Sequence, residues 1–80
     1  MTVEVLLFAS LKEKLGDTVS LEVPEPVTVA SLLRHFGERY PQFRNALPHL
    51  NVAVNLEYRV GDQPIPAGAE VALFPPVSGG

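Results

Sequence analysis

Val29, Leu32, Leu33, Phe36 and Tyr40 recur at helical spacing and draw one apolar stripe along a single main helix. Thr28 stands where an N-cap belongs, and Pro41 marks the stop. Gly37 interrupts the stripe at a cost of about 1 kcal/mol relative to alanine, which predicts a weak helix end. The other apolar segments are short and strand-like. At 80 residues the chain forms one domain. A lone amphipathic helix in so small a unit buries its stripe against a sheet.

Residues 3–9 are β-branched at the start and apolar throughout most of their length, as a first strand should be. Ser10 is expected to open a short helix, with Glu13 at capping-box spacing and Gly16 at the C-cap. Residues 19–23 read as a second strand, closed by Pro24 and Pro26. After the main helix, residues 43–49 read as irregular chain or a short helical turn. Residues 52–60 read as two short strands or one bent strand. Gly61-Asp62 and the Pro- and Gly-rich residues 64–68 are turns, and residues 70–74 form the last strand. This order of elements describes an α+β chain with a mixed sheet of about five strands and one main helix on one face. That is the ubiquitin-like β-grasp. Residues 1–80 form a single domain, with a Gly-Gly tail over residues 75–80.

Composition narrows the function classes. With 46% hydrophobic and 19% charged residues, the chain is globular rather than disordered. It has no cysteine, so a disulfide framework, a thiolate metal site and a cysteine nucleophile are excluded. His35 and His49 lack the neighbouring ligands a metal site needs. The net charge of −3, with Lys and Arg dispersed, argues against nucleic acid and for protein partners. There is no apolar run long enough to span a bilayer, and the N-terminus lacks the basic start of a signal peptide, so a cytoplasmic location is expected. Arg34 and Glu38 form an (i, i+4) pair on a wet helix face. No triad, carboxylate pair or phosphate loop is present, and the domain alone is not expected to turn over substrate.

Strand alternation puts Val3, Val5 and Leu7 on one face and Glu4, Leu6 and Phe8 on the other. With Glu4 and Glu70 facing water, Phe8 and Phe74 face outward too, from strands expected to be neighbours. Two phenylalanines on one wet face mark a docking surface. The alternative is a satellite cluster tucked under a loop.

The last strand continues into Pro75, Pro76, Val77, Ser78, Gly79 and Gly80. The prolines favour an extended polyproline II exit, and the two glycines carry no Cβ. Six extended residues reach roughly 20 Å, so the tail suits a narrow channel on another protein. A terminal glycine carboxylate is ionised at neutral pH and is a poor electrophile. To become an acyl donor it must be activated, typically by attack on the α-phosphate of ATP. With no nucleotide-binding loop here, that site has to lie on a partner, and the chain itself binds no cofactor.

Three segments resemble the MoaD-type sulfur carriers, the small-subunit family of molybdopterin synthase. These are Leu7-Phe8-Ala9-Ser10-Leu11-Lys12-Glu13 with Gly16, then Val52-Ala53-Val54-Asn55 with Glu57-Tyr58, and above all residues 68–80 ending in Pro-Pro-Val-Ser-Gly-Gly. Ala69 departs from the pattern, which commonly has an aspartate there. The resemblance implies that a MoeB-like enzyme adenylates Gly80, that a sulfur donor converts the acyl-adenylate to a thiocarboxylate, and that the tail enters a MoaE-like large subunit. There the sulfur would pass to cyclic pyranopterin monophosphate, in a heterotetramer with two large subunits. It also implies that Phe8, Tyr58 and Phe74 form the docking face. Three other roles compete: a sulfur carrier for thiamine thiazole or tRNA thiolation, a protein modifier joined through Gly80 to lysines, and an interaction module with an idle tail.

Overall fold

The computed structural model describes residues 1–76. Its elements run β1 (Thr2–Leu7), α1 (Ala9–Leu15), β2 (Thr18–Glu22), α2 (Val29–Arg39), a 3-10 segment (Pro41–His49), β3 (Asn51–Val54), β4 (Glu57–Arg59) and β5 (Val71–Phe74). The sheet order is β2-β1-β5-β3-β4. The central pair, β1 and β5, is parallel, and every other pairing is antiparallel. The expected β-grasp is present, with α2 on the inner face of the sheet.

The helix stripe and the strand alternation meet in one core. Val3, Val5 and Leu7 from β1 are buried, as are Val71 and Leu73 from β5, and Leu32 and Phe36 of α2 close over them with no exposure. Phe36 stacks in tilted geometry on Tyr40 and Phe43, so the end of α2 and the 3-10 segment share its ring.

Four backbone donors at the start of α2 are each satisfied from a different source. Thr28 and Ser31 cap each other: the Ser31 N–H donates to Thr28 Oγ1 at 3.1 Å, and the Thr28 N–H to Ser31 Oγ at 2.9 Å. The Val29 and Ala30 N–H groups donate to the carbonyls of Gln63 and Gly61 at 3.0 and 2.9 Å. The loop after β4 is thereby tied to the helix N-terminus, which would otherwise leave these donors unpaired.

Several local expectations need correction. Ser10 and Glu13 form no capping box. Phe8 takes the N-cap position in extended conformation, and α1 starts at Ala9 without a side-chain cap bond. Ala9, at φ 54°, bends the chain from strand to helix in one step, which leaves Ser10 inside the first turn. Gly16 does cap α1, with φ 96° and its N–H on the Lys12 carbonyl. Pro41 does mark the stop of the main helix: α2 ends at Arg39, and Pro41 opens a separate nine-residue 3-10 segment. Gly37 is buried and does not interrupt α2, which continues to Arg39. A Cβ there would lie 2.5 Å from Leu47 Cδ1, so the glycine leaves room for the tip of the Leu47 side chain from the 3-10 segment. Glu38 pairs with half-buried His35 at 3.5 Å rather than with Arg34.

Candidate functional site

The outer face of the sheet is built by the same alternation that fills the core. Register places Leu6 beside Ala72, Ala72 beside Ala53, and Ala53 beside Tyr58, which makes one row across four strands. The two alanines keep the floor low. Phe8, just past β1, and Phe74, at the end of β5, stand on one side, and Tyr58 on the other. The Phe8 and Phe74 rings meet edge to face at 6.3 Å, and Tyr58 lies 5.6 Å from Phe74. Together they shape an open groove of about 500 Å³ with no charged residue in its lining.

All three side chains expected at the docking face are therefore in one place. Phe8 is 48% exposed and Tyr58 74% exposed, with Phe74 half-buried between them. Apolar rings left in water beside one another mark a binding surface, and a lining depleted of charge is the usual centre of a protein interface. The cluster is not tucked under a loop.

Pro75 lines the same groove, and Pro76 is exposed beyond it. The chain thus leaves the domain at the edge of the aromatic patch. Val77, Ser78, Gly79 and Gly80, the rest of the expected tail, lie outside the described residues.

Leu56 also lines the groove and was not expected there. It is 88% exposed at the tip of the β3–β4 hairpin. Val54 pairs with Glu57, so Asn55 and Leu56 form a two-residue loop with φ of 50° and 70°. That is a type I′ turn, whose second position strongly favours glycine. Leucine in the left-handed region costs about 1–2 kcal/mol. The sequence signal was the two-residue gap between Val54 and Glu57, with Asn55 at the first turn position. Without a glycine after Asn55, the hairpin remained ambiguous with a bent strand.

Comparison with known proteins agrees with this geometry. The model of the ThiS family matches residues 5–80. The molybdopterin synthase sulfur carrier subunit of Dictyostelium discoideum is 40% identical, with 96% of this chain and 94% of that protein covered. The crystal structure of small archaeal modifier protein 1 from Haloferax volcanii superposes with a TM-score of 0.80 at 33% identity, covering 95% of this chain and 98% of the other. A chain from the complex of subunits 1 and 2 of the molybdopterin-converting factor of Helicobacter pylori superposes with a TM-score of 0.68 at 25% identity, with both chains fully covered. The β-grasp sheet, the groove edged by Pro75 and a family match that runs from β1 through the tail lead to one conclusion: this chain belongs to the ThiS family.

Proposed function

We propose that the chain is the sulfur-carrier subunit of a molybdopterin synthase. The observation that carries the reading is the tail leaving the domain at the edge of the groove formed by Phe8, Tyr58 and Phe74. Relatives named as sulfur carrier subunits of molybdopterin synthase, at 34–40% identity over nearly the whole chain, support the assignment. So does the fold shared with a chain of the two-subunit Helicobacter pylori complex.

In this reading a Gly80 carboxylate oxygen attacks the α-phosphate of ATP on a MoeB-like partner, and pyrophosphate leaves. A sulfur donor replaces AMP and leaves a thiocarboxylate. The large subunit then takes the tail, and the sulfur passes to cyclic pyranopterin monophosphate in a heterotetramer with two large subunits at its centre. Val77, Ser78, Gly79 and Gly80 form the slender part that enters the channel, and Pro75 and Pro76 stiffen its base. Phe8, Tyr58 and Phe74 are the docking face for both partners. The cytoplasm is the proposed location. Among the described residues no helix is long and apolar enough to cross a membrane.

The test is the intact mass of the thiocarboxylated chain, before and after mixing with the cognate large subunit and cyclic pyranopterin monophosphate. The expected result is a fall by the difference between sulfur and oxygen only when both are present. A thiocarboxylate that survives the complete mixture overturns the assignment.

A second reading has its own support, the likeness to small archaeal modifier protein 1. The same activated Gly80 would then form an isopeptide bond with lysines of other proteins. Recovery of Gly80-linked peptides from cells would favour it.

A further inference from the structure

Among the described residues, three that are not glycine have positive φ: Ala9, Asn55 and Leu56. Ala9 and Leu56 line the groove, and Asn55 directly precedes Leu56. Backbone strain held in a folded protein concentrates at functional sites. Here it borders a single surface.

The hairpin tip is also braced. The Asn55 N–H donates to the Glu70 carbonyl at 2.8 Å, and the Glu70 N–H donates back to Asn55 Oδ1 at 3.0 Å. Glu70 leads directly into β5, the strand that carries Phe74. The backbone at Leu56 is therefore held relative to the strand that carries Phe74, while its side chain is the most exposed of the large apolar ones among the described residues. An apolar side chain carried on a braced backbone needs no loop ordering on binding, which favours an anchor residue.

We propose that Leu56 is an anchor of the partner interface, inserting from the hairpin tip into an apolar socket on the protein that receives the tail. The inference rests on the carrier reading above and extends its docking face beyond Phe8, Tyr58 and Phe74. The occupant follows from covalent reach. Four residues follow Pro76, and they span at most about 14 Å. A protein that holds Gly80 at its reaction centre therefore stands close to Pro75, and Pro75 and Leu56 line one groove. The partner that takes the tail covers the hairpin tip as well.

The strain lets one substitution move stability and affinity in opposite directions. Leu56→Gly relieves the left-handed backbone and removes the side chain. We expect it to raise the melting temperature by a few degrees and to weaken binding of the cognate large subunit about tenfold. Leu56→Asn, which also tolerates the turn, should weaken binding equally. Leu56→Met, which keeps an apolar side chain, should bind within about threefold of the unmodified chain. Affinities are read by titration calorimetry on the full chain, with Phe74→Ala as the reference. If Phe74→Ala binds weakly while Leu56→Gly binds like the parent, the anchor is disproved and the docking face stands. If Leu56→Met binds as weakly as Leu56→Gly, the apolar socket is disproved. If Phe74→Ala leaves affinity unchanged, the docking face itself fails, and the anchor fails with it.

Discussion

The two faces of the central sheet are made from the same strands and have opposite fates. On the inner face, Val5, Leu7, Val71 and Leu73 are sealed beneath Leu32 and Phe36. On the outer face, Leu6, Ala72, Ala53 and Tyr58 lie in a comparable row, and the groove lined by the last three together with Phe74 is open. The bare apolar surface has a sharp limit. Toward β2 the outer face carries Thr2, Glu4, Ser20 and Glu22, where Thr2 donates to Glu22 and Ser20 donates to Glu4. The aromatic patch is thus confined to the half of the face from which the tail departs. The difference teaches that an apolar row on a strand says which side chains group together; whether they stabilise the fold or bind a partner depends on what covers them.

The largest expected effect tests the inner face. Phe36→Ala should cost about 3–5 kcal/mol, because it removes a fully buried ring and the contacts of Tyr40 and Phe43. Against a total of roughly 5–15 kcal/mol for a small domain, much of the fold's margin goes with it. Urea denaturation measures the loss. Phe74→Ala should cost less, about 1–3 kcal/mol in the same experiment, the scale of its two aromatic pairs. Equal losses for the two phenylalanines would break the comparison, since the outer cluster would then be a second core.

Binding sharpens it from the other side. Phe74→Ala and Tyr58→Ala should each weaken the large-subunit complex by about 10–100-fold, the range of aromatic anchors at interface centres. Both variants should keep the far-ultraviolet circular dichroism of the parent. A loss of affinity accompanied by loss of helical signal would mean that these rings act on the fold and only indirectly on docking.

Much of this architecture was legible because each decisive signal was a period. The spacing from Val29 to Tyr40 predicts α2, and alternation along β1 and β5 predicts both the core residues and the outward turn of Phe8 and Phe74. Glu4 and Glu70 set the phase of that alternation. What stayed hidden depends on contacts distant in sequence. Gly37 looks like a defect until Leu47 is seen against it, ten residues on. Ser10 and Glu13 have capping spacing, but Ala9 adopts a left-handed φ that no local pattern announces, and the helix starts too early for the box to form. Leu56 was missed because the turn chemistry that normally flags a two-residue hairpin is absent. The place of Tyr58 on the outer face came from family resemblance rather than from alternation, since β4 has three residues and shows too little period to read.

The smallest expected effect concerns the cap that holds the inner lid in place. Thr28 and Ser31 exchange bonds, and each serves a donor that the helix cannot satisfy itself. Thr28→Ala should cost about 1 kcal/mol, the usual value for a lost N-cap. Ser31→Ala leaves the Thr28 N–H without its acceptor, at a cost on the order of 1 kcal/mol. Because the two side chains form one reciprocal unit, removing both should cost less than the sum of the single losses, and a double-mutant cycle reads the difference. Strict additivity would show two independent caps. The same variants test the separation of the faces. The box lies at the start of α2, and the aromatic groove is on the opposite side of the sheet. Thr28→Ala should therefore leave affinity for the large subunit within about twofold of the parent while lowering the urea midpoint. A fall in affinity comparable to that of Phe74→Ala would mean that helix and groove are coupled through the sheet, and that the inner face helps set the shape of the outer one.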